Sequence, residues 1–245
     1  MGVLDFLKRD SNSKINRLAK RFLNEHQQQQ IRQEALEELV TYESPEAISA
    51  LIRRLGVNFR DTIKNEQEKR WVSEQLVNRY GQNAIEPLVG FINTDQTISA
   101  AIRVLERLVG QERLVGILLA ALQQYAPKDH RTIDARMQLI DAVADLQDHR
   151  IVPAVVPYAM DHDDDIRIKV MGLLDHRVGP DHADYATVSD QLFEVLTDSE
   201  ASGRITRRAA QALHTLKVDL SGRAEIVAEF VPDGFSFDGT HLIPH

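Results

Sequence analysis

Five short segments of this chain share one pattern, in which two adjacent apolar residues are followed, three positions on, by a third: Leu51/Ile52/Leu55, Leu88/Val89/Ile92, Ile117/Leu118/Ala121, Val155/Val156/Ala159 and Leu192/Phe193/Leu196. Their first members are 37, 29, 38 and 37 residues apart. A period in this range constrains the fold more than any single motif, because each copy must bury its apolar face against the next. After each copy comes a second stretch with small or apolar residues at i, i+4 and i+8, which share one face of a helix. These are Val72/Leu76/Tyr80, Thr97/Ala101/Leu105, Ala135/Leu139/Val143, Ile166/Val170/Leu174 and Ile205/Ala209/Leu213. An earlier copy, Ile31/Ala35/Leu39, follows a basic helix around residues 14 to 24. The chain therefore reads as about six antiparallel helix pairs.

Strand signals are confined to the tail. Residues 231 to 245, VPDGFSFDGTHLIPH, hold two turn dipeptides, and Asp238-Gly239 lies between FSF and THLI. That pattern predicts a short hairpin covering the apolar end of the last pair.

The helix pairs resemble HEAT repeats, in particular the bacterial form named after the phycobilisome lyases. The best match is HRIVPAVVPYAMDHDDDIRIKVMGLLD, residues 149 to 175, with prolines in the first helix, an Asp-rich turn, and Ile-Arg-x-x-Val opening the second. IRQEAL from Ile31 and PEAISALIRRL from Pro45 are weaker copies. The resemblance implies an all-α fold, a right-handed α-solenoid of about six HEAT-like pairs over residues 1 to 217. Residues 218 to 245 form a hairpin cap of the same domain. It implies no particular activity, since one fold hosts many.

Charge and composition narrow the function. With 37 acidic and 29 basic side chains the net charge is -8, which disfavours a surface devoted to phosphate backbones. There is no cysteine, so thiolate chemistry, disulfides and Cys-containing zinc sites are excluded. The longest uncharged apolar-rich run, Leu114 to Ala126, is too short to span a bilayer. The start MGVLDFLKRDSNSK lacks a secretory apolar core, and Phe6 stands where a myristoylation signal has Ser or Thr. Residues 1 to 24 carry six basic and two acidic side chains, which suits a first helix with a solvated basic face. A cytoplasmic setting is expected.

Residues 161 to 172, DHDDDIRIKVMG, have Asp at alternate places like a calcium loop. The sixth and twelfth places hold Ile166 and Gly172 instead of Gly and a bidentate Glu. Asp163, Asp164 or Asp165 is expected to cap a helix instead, with Ile166 and Val170 facing the core and Arg167 facing out or bonding to a neighbouring turn. His176 and His182 share one Gly-Pro loop at a spacing that does not align two imidazoles. SEASG, residues 199 to 203, has Glu200 where a nucleophile elbow needs Gly. No catalytic residue, metal or cofactor is assigned, and the chain is expected not to be an enzyme.

Two features point to partner binding. The connections 56 to 66 and 123 to 132 read as longer than the others, and insertions on one edge of a repeat array are common docking sites. The outward positions of the second helices hold Arg103, Arg107, Arg136, Arg167, Lys169, Arg204, Arg207 and Arg208, a basic stripe interrupted by Glu106, Asp134, Asp141 and Asp145. Trp71, the sole tryptophan, reads as a core residue or a half-exposed anchor. The expected function is a scaffold that binds a protein through Trp71, Arg103, Arg107, Arg136, Arg167, Lys169 and Arg207. The alternatives are an enzyme-associated protein of DNA-glycosylase or bilin-lyase type, and nucleic-acid binding along the stripe.

Overall fold

The computed structural model describes the backbone from Val3 to His245 and the side chains from Ser11 onward. Met1 and Gly2, read above for lipid attachment, lie outside the described residues, as do the side chains of Phe6, Lys8 and Arg9. The chain divides into two compact units, Met1–Ala121 and Leu122–His245. Among the described residues it is all-α apart from one two-stranded hairpin, and its helices come in the expected pairs.

In the first unit the pairs are α1 (Val3–Phe22) with α2 (Gln29–Leu39), α3 (Pro45–Gly56) with α4 (Thr62–Gln75), and α5 (Ile85–Ile92) with α6 (Ser99–Leu108). First helices pack on first helices, α1 on α3 and α3 on α5, while α2 packs on α4 and the turn after α4 packs on α6. The result is two layers with the apolar repeat positions between them. Leu51, Ile52, Leu55, Val72, Leu76, Leu88, Ile92, Ala101 and Leu105 are all buried. Thr97, read as a core position, precedes α6 and turns on Asp95, whose Oδ1 accepts its N–H at 2.9 Å. Ile98 fills the core instead.

Helix starts follow local chemistry. Ser44 Oγ accepts from the amide of Ala47, with Pro45 at the first helical position, and Asp61 Oδ1 accepts from Lys64. After α4 the chain widens into a π-turn, Leu76–Tyr80, and stops at Gly81, whose φ of +51° a side chain would strain. The π-turn delivers Tyr80, whose hydroxyl donates to the carbonyls of Tyr42 (2.9 Å) and Val40 (3.2 Å) just beyond α2.

The cap at Asp61 corrects the expectation of a long connection over residues 56 to 66. Only residues 57 to 61 are non-helical, and Phe59 anchors them to the core while Asn58, Arg60 and Asp61 stay exposed. Phe59 is buried, with the Arg54 and Arg32 guanidiniums 4.0 and 4.8 Å from its ring centre. Those two arginines share Glu68: Arg32 donates to Oε1 at 2.9 and 2.6 Å, and Arg54 to Oε2 at 3.0 Å and to Asn65 Oδ1 at 3.0 Å. Burial lowers the pKa of Arg54, and Glu68 opposes that shift.

The helix α7 (Gln111–Leu122) ends where the second unit begins. Within that unit α8 (Ile133–Ala144), α10 (Asp164–Arg177) and α12 (Gly203–Thr215) are the second helices, and α8 and α12 each pack on α10. The first helices are α9 (Ile151–Val155), which continues as a 3-10 turn through Met160, and α11 (Tyr185–Leu196). Pro157 accounts for the tightening, because it cannot donate the α-helical bond at that point. Residues 123 to 132 are a genuine long connection, and two of its carbonyls, Leu122 just before it and Tyr125 within it, accept from the Tyr158 hydroxyl at 2.6 and 2.9 Å.

A short helix α13 (Ala224–Glu229) leads to the hairpin, β1 (Phe235–Phe237) antiparallel to β2 (Leu242–Pro244) with Phe237 opposite Leu242. Asp238 Oδ1 accepts from Thr240 and His241 to close a four-residue turn, with Gly239 at φ +96°. The hairpin lies on α12: Leu242 is buried, and its carbonyl bonds His214 Nδ1 at 2.7 Å. No helix among the described residues is long and apolar enough to cross a membrane.

Glu68→Gln leaves two buried guanidiniums sharing one acceptor oxygen, and should lower unfolding free energy by about 3–5 kcal/mol, read as a lower urea midpoint at unchanged slope. A second outcome concerns alkaline pH. Burial pushes the Tyr158 hydroxyl from 10.0 up to about 12. A raised folded-state pKa gives stability that is complete below the unfolded value and is lost as pH rises through the folded one. The stability of the protein should therefore fall across that window, and Tyr158→Phe should lack this part of the fall in unfolding curves taken at several pH values.

Candidate functional site

The cations of the second helices divide into two classes. Arg136 and Arg167, expected to face a partner, are buried, and this expectation is corrected. Arg136 grips Asp161 with Nε and Nη2 at 2.8 and 2.9 Å, and it also donates to the Pro127 and Asp129 carbonyls and to Thr132. Arg167 donates to the Ala159 carbonyl at 3.2 Å and to Asp198 at 3.1 Å. Each arginine thus reaches forward to the acid in the turn of the following pair. Arg32, Arg136 and Arg167 all occupy the fourth position of a second helix, although Arg32 reaches Glu68 within α4 rather than an acid in a turn. In Arg136 all five N–H groups are so bonded, which leaves no donor for a partner, and Arg167 has its Nε and Nη2 engaged.

These clips also explain DHDDDIRIKVMG. Asp161 is the buried partner of Arg136, and Asp163 caps α10 by accepting from Asp165 and Ile166. Asp164 accepts from Ser202, and Asp165 pairs with Arg204 at 2.7 Å. His162 is exposed and meets His130 edge to face, with ring centres 3.8 Å apart. Among the described residues no group of three or more His, Asp or Glu is placed to hold a metal.

The second class is exposed, save the half-buried Arg208, and mostly paired between neighbouring second helices. Lys169 on α10 bonds Asp141 on α8, Arg208 on α12 bonds Asp175 on α10 at 2.6 Å, and Arg107 on α6 makes a two-pronged pair with Glu74 on α4 at 2.9 and 3.1 Å. Arg207 is exposed and donates to the Asp233 carbonyl at 3.2 Å. The stripe is therefore largely neutralised across the helices rather than along them.

The exception is a groove of about 410 Å³ between α4 and α6. Glu66, Lys69, Arg70, Ser73 and Glu74 line it from α4, and Ala100, Arg103, Val104 and Arg107 from α6. It brings together two of the expected residues, Arg103 and Arg107. Trp71, half-buried beside Arg70, is not in its wall. The hydrogen bonds from Arg107 and then Asn78 hold the Glu74 carboxyl below the usual range. Lys69 is 7 % exposed; its Nζ donates to Asn58 Oδ1 at 2.6 Å, and desolvation lowers its pKa against the attraction of Glu66. Arg70 and Arg103 are exposed and make no ion pair among the described residues. Lys69 and Arg70 were not singled out from sequence, although Glu66, Arg70 and Glu74 recur at i, i+4 and i+8 on one face of α4.

No protein-family model matches the chain, and no curated protein matches it. Among solved structures it is similar to human deoxyhypusine hydroxylase in complex with glycerol, at 16% identity over 91% of this chain and 94% of that one, with a TM-score of 0.32. This corrects the expectation that the chain is not an enzyme: the protein it aligns with is a hydroxylase, so an absence of catalysis is not carried forward. At that TM-score neither activity nor site residues transfer to this chain.

Asp161→Asn should lower the melting temperature equally in calcium and in chelator, because the lost partner is Arg136. A calcium-dependent rise in the unaltered protein that Asp161→Asn abolishes would restore the metal reading.

Proposed function

We propose that this protein is a helical-repeat interaction module that docks a polypeptide segment through an anionic side chain in the groove between α4 and α6. One observation carries the reading: in a chain of net charge -8, this groove keeps two exposed arginines, Arg70 and Arg103, that make no ion pair among the described residues. Elsewhere on the second helices Lys169, Arg204 and Arg208 are held by acids of the neighbouring helix. Complementary charge sets register and encounter rate at such surfaces. Arg136 and Arg167 contribute rigidity, and the proposal gives them no contact with the partner.

A protein partner fits better than a nucleic acid. The groove offers only a short cationic cluster, whereas a single strand is tracked along a basic path of several nucleotides. The overall acidity also repels a phosphodiester chain.

The test is calorimetric titration of the full chain with peptides carrying a central acidic residue. Arg70→Glu and Arg103→Glu should each weaken binding at least about tenfold, roughly 1.4 kcal/mol, and added salt should weaken it too. Lys169→Glu should not. Peptide affinity indifferent to both groove reversals, or displacement of the peptide by a short oligonucleotide, would overturn the proposal.

A further inference from the structure

We infer that the groove between α4 and α6 is a receptor for a phosphorylated serine or threonine side chain of the partner segment, with Lys69, Arg70 and Arg103 as its ligands. The inference rests on the docking reading above and names the group that docks.

The charge balance selects the anion. Arg107 and Glu74 cancel each other in their two-pronged pair. What remains around the groove is Lys69, Arg70 and Arg103 against Glu66, an excess of two positive charges. A carboxylate brings one negative charge and two acceptor oxygens. A phosphomonoester brings about 1.5 to 2 negative charges and three acceptor oxygens at neutral pH. Of the two, the phosphate matches both the charge and the number of cationic groups.

Donor capacity points the same way. An ammonium carries three N–H bonds, and among the described residues Lys69 gives one to a protein acceptor, Asn58 Oδ1. Such an amine is held in the groove at the cost of desolvation, and a dianion beside it repays that cost. Arg70 on α4 and Arg103 on α6 line the two walls, and a guanidinium is a planar fork that can give phosphate oxygens paired N–H bonds. Glu66 and Glu74 lie one turn either side of Arg70 on the same face, so carboxylates bound the cationic centre along α4. That arrangement suits one compact dianion and repels a run of acidic side chains, which separates a phosphorylated residue from a merely acidic tract.

The probe is a set of peptides of degenerate sequence with a fixed central phosphoserine, beside the same set with glutamate and with serine at that place. Binding to the full chain is followed by calorimetry and by side-chain NMR signals of Lys69, Arg70 and Arg103. The phosphoserine set should bind at least about tenfold more tightly than the glutamate set, and its 31P signal should broaden on addition of protein. Arg103→Gln, at an exposed position, should abolish that preference; Lys69→Met should do the same, and Lys169→Met should keep it. Equal binding of the glutamate and phosphoserine sets would overturn the phosphate inference and leave the docking reading standing. Binding of none of the three would overturn both. A phosphoserine preference that survives Arg103→Gln would also overturn it, because the phosphate would then sit elsewhere.

Discussion

Buried guanidinium–carboxylate pairs are the interaction on which the arrangement of this protein depends. Apolar packing alone would let one helix pair slide or rotate on the next, since Leu, Ile and Val contacts are non-directional. A two-pronged bond from Arg136 to Asp161, fully desolvated, has one geometry. Arg32 and Arg54 are held as tightly around Glu68, and Arg167 adds a single, less buried bond to Asp198. Such pairs add little net stability because desolvation offsets the attraction, yet breaking one is costly. Their role is to fix the register of successive pairs inside each unit.

Three tyrosines act with them. Tyr80, Tyr158 and Tyr185 each place a hydroxyl on carbonyls at the end of a helix or just beyond it, at Val40/Tyr42, Leu122/Tyr125 and Leu216/Lys217. Helix ends expose carbonyls without intrahelical partners, and burying them requires a donor. The repeat thus satisfies its joints with long polar side chains and leaves its layers to small and aliphatic ones.

Most of the helix pairing was legible in the sequence because it depends on period. Ile166, Val170 and Leu174, read from i+4 spacing, are all buried. The failures occurred where partners are distant. Arg136 and Arg167 lie at outward-reading positions, and nothing local tells that an acid 25 or 31 residues later will receive them. The signal that was present is the recurrence of arginine at the fourth position of a second helix, with Asp161 and Asp198 each six residues before an arginine. The connection after α3 was misjudged because Asp61 was not taken as a cap, although Asp-Thr-Ile-Lys has the right chemistry. Half of the α4/α6 groove, Arg103 and Arg107, was visible as an i, i+4 pair. The other half needed the packing that brings α4 beside α6.

The arginines divide into those consumed by the fold and those left for a partner. That division can be measured directly as hydrogen exchange at each arginine Nε–H by NMR in the free protein. Arg32, Arg54, Arg136 and Arg167, each of which donates through Nε to a buried acceptor, should exchange orders of magnitude more slowly than Arg70 and Arg103. If Arg136 and Arg167 exchanged as fast as Arg70 and Arg103, the buried clips would not exist as described, and the stripe would have to be counted again as one surface.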